Sequence, residues 1–162
     1  MIPHTSAAKS RIRIWQQNAR KSLTNTDYIS NSANPKNYNL LLIQAPWIDR
    51  LGKSRSSHNW RIVYLSTHQL DNHNPIRSMI LIHTNISTDM YTVLDIPSSD
   101  ITAIHLKGDF GHCTIFNIYN DCSNNNTIDT LQKYLESNKC VALPLPSDHM
   151  LWCGNFNHHH SL

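Results

Sequence analysis

The order of hydrophobic segments in this chain predicts an α/β protein in which sheet packs against helices. Three observations carry that prediction. Short stretches rich in Ile, Val, Thr and Tyr follow one another through the middle of the chain, with Asn, Gly and Pro between them. Two stretches, one before and one after this series, have the caps or the spacing of helices. No linker, repeat or low-complexity run divides the 162 residues, a length that suits one domain with a real core.

The elements follow in order. "RIRIW" (Arg11 to Trp15) alternates polar and apolar residues and reads as an opening strand. "LTNTDYISNSAN" (Leu23 to Asn34) predicts a short helix capped by Thr24 or Asn25 and finished before Pro35. "YNLLLIQ" (Tyr38 to Gln44) is a continuous apolar run stopped by Pro46, the pattern of a strand buried on both faces. "NWRIVYLS", "IRSMILIHT", "MYTVLDI", "ITAIHLKG" and "HCTIFNIYN" then read as successive strands. In "NNTIDTLQKYLESN" (Asn125 to Asn138) the period changes, and Ile128, Leu131 and Leu135 mark the buried stripe of an amphipathic helix. "HMLWCGNF" returns to a strand, with Trp152 to Gly154 expected to be buried. Residues 1–10 read as a disordered tail and residues 158–162 as a short His-rich one.

Composition narrows the functional classes. The net charge is +3, and all of the 14 Lys and Arg residues except Arg77, Lys107, Lys133 and Lys139 precede residue 62. Such a distribution can attract phosphates, although a scattered set of this kind also describes an ordinary solvated surface. Glu136 is the only Glu, and every other acidic residue is Asp, so any catalytic or metal site must draw on few carboxylates. Cys113, Cys122, Cys140 and Cys153 form no CxxC pair and read as small buried hydrophobes in a reduced protein. The start lacks a secretory pattern, and no apolar run is long enough to span a bilayer. The expectation is an intracellular protein, nuclear or cytoplasmic, with no membrane partner.

Four strand ends then line up. "WQQNARK" carries Asn18, "LLLIQAPW" carries Ala45, "IFNIYN" carries Tyr119, and "WCGNFN" carries Asn155 and Asn157. Polar groups at the carboxyl ends of buried strands are where open α/β sheets keep their sites. In this order the segments resemble the endonuclease/exonuclease/phosphatase superfamily and, more narrowly, the endonuclease domains of LINE-type retrotransposons of the sort widespread in fungal genomes. The resemblance runs from about residue 11 nearly to the end of the chain, and rests on the order and spacing of the segments together.

The resemblance implies a four-layer α/β/β/α sandwich and a Mg²⁺-dependent phosphodiesterase acting on DNA. In the family an Asn and a Glu ending the first two strands help hold the metal, a Tyr approaches the phosphate, and "GDFN" positions the water and contacts the phosphoryl group. A later Asp-His pair supplies the general base. Asn18, Tyr119 and Asn157 match this pattern. Ala45 stands at the position of the Glu and Asn155 at that of the Asp, and the chain ends at Leu162 before an Asp-His pair. The expectation is therefore a partial sandwich, residues 11–157, that supplies the first sheet and one central strand of the second. Mg²⁺ binding is in doubt, and an apolar sheet face is left exposed for self-association. Arg77 reads either as a residue of the site rim that binds substrate or as a solvated strand-end Arg. The four Trp residues read as core or rim packing rather than base-stacking platforms. His158, His159 and His160 raise a zinc site, but consecutive residues in a tail point in different directions and do not make a preformed one. Two functional readings stand: a degenerate, inactive endonuclease domain, or a non-catalytic module that binds nucleic acid or protein.

Overall fold

The computed structural model describes residues 11–55, 57–64, 75–109, 111–121, 123–138 and 148–156. Both tails read from the sequence lie outside these residues. The chain opens with a parallel crossover: strand β1 (Ile14–Asn18), helix α1 (Leu23–Ser32) and strand β2 (Leu40–Gln44). β1 thus starts three residues later than "RIRIW", because Ile14 is the first residue paired with β2, opposite Leu40. α1 is capped by Ser22, not by Thr24 or Asn25. Arg20 and Lys21 both turn left-handed (φ 54° and 57°), and this sharp turn lets Ser22 Oγ accept the Asn25 N–H at 3.2 Å.

Strands β3 (Trp60–Val63) and β4 (Ser78–His83) complete the first sheet in the order β1-β2-β4-β3. A 3₁₀ turn at Thr88–Met90 leads into β5 (Tyr91–Leu94), β6 (Ile101–Gly108) and β7 (Gly111–Tyr119), an antiparallel series. Helix α2 (Asn126–Ser137) then returns the chain to β8 (Asp148–Asn155), parallel to β7 at the edge of a second sheet ordered β5-β6-β7-β8. Each sheet therefore holds one parallel pair, at an edge, joined through a helix. The second sheet has four strands rather than one central strand, because β5, β6 and β7 pair with one another and not with β4.

The two sheets stack face to face, and three apolar layers result. Leu40, Leu42, Ile80 and Ile82 meet Ile104, Leu106 and Ile115 between the sheets. Ile29 of α1 covers Leu41, Ile43, Met79 and Leu81 on one outer face. Leu131 of α2 covers Ala103, Phe116 and Ile118 on the other. At about 1.5–3 kcal/mol per fully buried Ile, Leu or Phe, these layers dominate the stability of the fold. The order is helix, sheet, sheet, helix.

The expected bare inner face is therefore covered. Exposed apolar groups gather instead along β8 and just after it: Leu151, Trp152 and Phe156. Trp152 lies against Phe116 with ring centroids 5.2 Å apart, yet remains 42% exposed, because β8 is the edge strand. In α2, Leu131 is buried as expected but Ile128 is exposed, and Thr127 takes the inward place. Cys113 is buried and Cys153 half-buried, both as free thiols whose pKa burial pushes up; Cys122 and Cys140 lie outside the described residues. Among the described residues no helix is long and apolar enough to cross a membrane.

Apolar residues on both faces of β2 and β4 leave their register weakly specified by hydrophobicity. Buried polar groups supply what is missing. Asn117 of β7 donates through Nδ2 to the carbonyls of Ile43 (3.0 Å) and Met79 (2.9 Å), both in the opposite sheet. Its Oδ1 accepts from Gln44 Nε2, and Gln16 Nε2 donates to Gln44 Oε1 at 2.7 Å. Ser78 Oγ donates to Asn117 O and Thr102 Oγ1 to Ser78 O, each at 2.8 Å.

Candidate functional site

Above this polar layer the carboxyl ends of β1, β2, β7 and β8 form one rim. Ala19 N–H donates to Gln44 O (2.8 Å), Lys21 N–H to Ala45 O (2.7 Å), and Ala45 N–H to Arg77 O (2.7 Å). Asn18 thus stands beside Ala45, with its side-chain Oδ1 accepting the Arg20 N–H at 2.9 Å. Ala45 is buried and left-handed (φ 44°), a conformation that costs an L-residue about 1–2 kcal/mol and is held here by those backbone bonds. Across the rim, Asn155 pairs in register with Tyr119, and its carbonyl accepts the Asn120 N–H at 2.8 Å. The rim brings Asn18, Ala45, Arg77, Tyr119 and Asn155 to one end of the sandwich. Asn157 lies outside the described residues, as do His158, His159 and His160.

Arg77 links the two halves of this rim. Its guanidinium forks onto Asp100, Nε to Oδ1 at 2.6 Å and Nη2 to Oδ2 at 2.7 Å, while Nη1 donates to Asp121 Oδ2 at 2.6 Å. The same group sits 5.1 Å from the centre of the Tyr119 ring, within cation–π range. Asp100 is buried, and its Oδ2 also accepts from Thr127 Oγ1 of α2 at 2.7 Å. That bond explains why Thr127 displaces Ile128 from the inward face. Each of the three guanidinium nitrogens donates to a carboxylate, so Arg77 is not a freely solvated strand-end residue. The Asp100 hydrogen bonds drive the Arg77 pKa further up against the opposing effect of burial.

The Ser123 backbone N–H, then Arg77, then the Ser123 hydroxyl hold Asp121 down at about 2. Its folded value lies below the usual value of about 4, so its contribution is fully present above pH 4 and is lost as pH falls toward 2. Replacing Asp121 by Asn is expected to flatten the stability profile in that window and nowhere else. Urea unfolding at pH 4 and pH 2.5 checks this; equal acid sensitivity of the two proteins refutes it.

The metal chemistry that the resemblance implies needs hard oxygen donors. Ala45 offers a methyl group, the Asn18 side-chain oxygen is bonded to Arg20 N–H, Asn155 is a neutral amide, and Asp100 and Asp121 are both tied to Arg77. Among the described residues, no group of three or more His, Cys, Asp or Glu side chains stands ready to hold a metal ion. The donor set at this rim, among the described residues, does not fit a Mg²⁺ site.

Sequence reasoning missed Asp100, Thr127 and Asp121, and the pair Gln44 and Asn117. Only Asp121 carried a local signal, as the last letter of "IFNIYND". Asp100 follows two serines at the start of a strand, a place where an Asp is ordinarily a turn residue.

No protein-family model matches the chain, and neither does any curated protein. Solved structures do. The chain is similar to the endonuclease domain of TRAS1, a telomere-specific non-LTR retrotransposon, at 16% identity and a TM-score of 0.58, over 93% of this chain and 61% of that one. The fold is of the endonuclease/exonuclease/phosphatase type. Truncated TDP2 from Caenorhabditis elegans shares it at 12% identity and a TM-score of 0.58, over 91% of this chain and 63% of that one. The human Nocturnin catalytic domain does so at 13% identity and a TM-score of 0.50, over 93% and 66%. The chain spans about three-fifths of the first two, and its helix–sheet–sheet–helix order is a partial endonuclease/exonuclease/phosphatase sandwich.

Proposed function

We propose that this chain is a retrotransposon-type endonuclease domain that keeps the endonuclease/exonuclease/phosphatase architecture without its phosphodiester hydrolysis. The observation that carries this reading is position 45. The end of β2 is where the family places a metal-binding Glu, and here it presents a buried methyl group in a backbone fixed from both sides. Asn155 adds a second loss, a neutral amide where a carboxylate acts on the water. Mg²⁺ is held through only one or two protein carboxylates, and a lost general base alone costs about 10²–10⁴ in rate.

Supercoiled plasmid incubated with the protein and Mg²⁺ is expected to stay intact at the level of the buffer control. Nicking that EDTA abolishes and Tyr119→Phe removes would sink the reading.

A non-catalytic DNA-binding module is the second reading, favoured by Arg20 and Lys21. Both are exposed in the turn between β1 and α1, beside Asn18. On the same plasmid this reading expects retention at low salt that weakens steeply with added salt and drops when both residues become Ala. Self-association would use the apolar edge at Leu151 and Trp152.

A further inference from the structure

The β6–β7 hairpin carries a pair of histidines that the rim does not use. His105 and His112 lie on the same side of the second sheet as Phe116, the side opposite the inter-sheet layer. Their rings stack at 24° with centroids 5.2 Å apart. His105 Nε2 faces His112 Nδ1 at 3.1 Å, and His105 Nδ1 meets the buried Thr114 hydroxyl at 2.9 Å. The pair sits at the far end of β7 from Tyr119, seven residues away, which is about 23 Å along a strand.

We infer that His105 and His112 form a two-imidazole site for a borderline divalent transition-metal ion, with water completing the coordination. The spacing is the first argument. Metal–imidazole bonds are about 2.0–2.1 Å, so an ion bound to two nitrogens 3.1 Å apart subtends an angle of about 98°. That lies between the right angle of square or octahedral geometry and the tetrahedral angle, so the spacing suits one shared ion once the rings tilt off their hydrogen-bonded line.

The second argument is orientation. A ligating imidazole ordinarily donates its other N–H to a fixed partner, which sets its tautomer. With Nδ1–H of His105 given to Thr114 Oγ1, Nε2 keeps its lone pair toward His112. With His105 in that tautomer, the metal-free contact requires His112 to donate its Nδ1–H to that lone pair. On binding, the proton leaves Nδ1 and water returns one to Nε2, so the neutral pair loses no net proton.

The surroundings permit charge. His112 is exposed, and its ladder neighbours are Lys107 on one side and Asp148 on the other, a cation offset by a carboxylate. Imidazole selects Zn²⁺, Cu²⁺ or Ni²⁺ over Mg²⁺, so this site is distinct in chemistry as well as place from the one the superfamily fold implies.

Zn²⁺ alone is the probe, titrated calorimetrically into the full chain. The background carries His158→Ala, His159→Ala and His160→Ala, which removes the tail as a competing ligand. One Zn²⁺ per chain is expected, with affinity at least tenfold lower in His112→Gln and in His105→Gln, and lowered also in Thr114→Val. Mg²⁺ at the same concentrations should neither bind there nor compete. His112 is exposed, so His112→Gln leaves the packing intact. A Zn²⁺-induced change in the His105 ring nitrogen resonances reports the same contact without mutation. Loss of all Zn²⁺ binding in the tail-replaced background overturns the inference. Unchanged affinity in His112→Gln does so as well.

Discussion

Arg77→Met is expected to destabilise the domain by about 3 kcal/mol. The mutation strips two carboxylates of their partner at once, and Asp100 is the costly one. Its side chain is only 8% exposed, and without Arg77 its described side-chain partners reduce to the hydroxyls of Thr127 and Ser99. Removing one member of a buried pair leaves an uncompensated charge, at about 3–5 kcal/mol. The lower end applies here because the Arg77 and Asp121 side chains are 24% and 28% exposed. Urea unfolding of the variant measures the loss. Combining it with Asp100→Asn should recover part of it, because the stranded charge is then gone. A loss below about 1 kcal/mol, or strict additivity in the double variant, refutes this account.

Gly154→Ala is the second large effect, also at about 3 kcal/mol or more. A Cβ built on Gly154 falls 2.0 Å from the Ile118 carbonyl oxygen and 2.8 Å from its carbon, and φ is +156°. The obstruction is the backbone of the neighbouring strand, which cannot rotate aside as a side chain would. Accommodating the methyl group means separating β8 from β7 where Asn120 N–H meets Asn155 O. Strain and the lost ladder bonds act together at this position. Chemical denaturation checks the magnitude, and amide exchange should show β8 losing protection before β2 does. A variant within 1 kcal/mol of the parent, with β8 still protected, would falsify this reading.

These two residues also show where the sequence was legible. Strands β2 and β4 are evident as apolar runs because both of their faces are buried, and a run is a one-dimensional signal. Ala45 and Tyr119 close such runs, whereas Asn18 and Asn155 end the edge strands β1 and β8 and were read from the family resemblance. Arg77 was visible as a residue but its meaning was not. Its partners lie 23 and 44 positions away, and nothing local marks an Asp that will be paired across a fold. Edge position is equally silent. "HMLWCGNF" has the hydrophobicity of a central strand, and only the sheet order reveals that Trp152 faces solvent. Ser22 won the cap from Thr24 and Asn25 through a left-handed turn at Arg20 and Lys21, two residues with no intrinsic liking for it.

The Asn117 side chain, whose amide reaches the carbonyls of Ile43 and Met79 in the facing sheet, has a consequence for how the fold is reached. Oily surfaces slide over one another with little penalty, whereas an amide key turns in one lock. The two sheets can meet in many near-equivalent offsets, but only one returns every dehydrated amide of Gln44 and Asn117 to a partner. Closure of the sandwich is thereby made nearly all-or-none. The same key keeps the ends of β2 and β7 aligned, so the rim at Ala45 and Tyr119 is held in one shape.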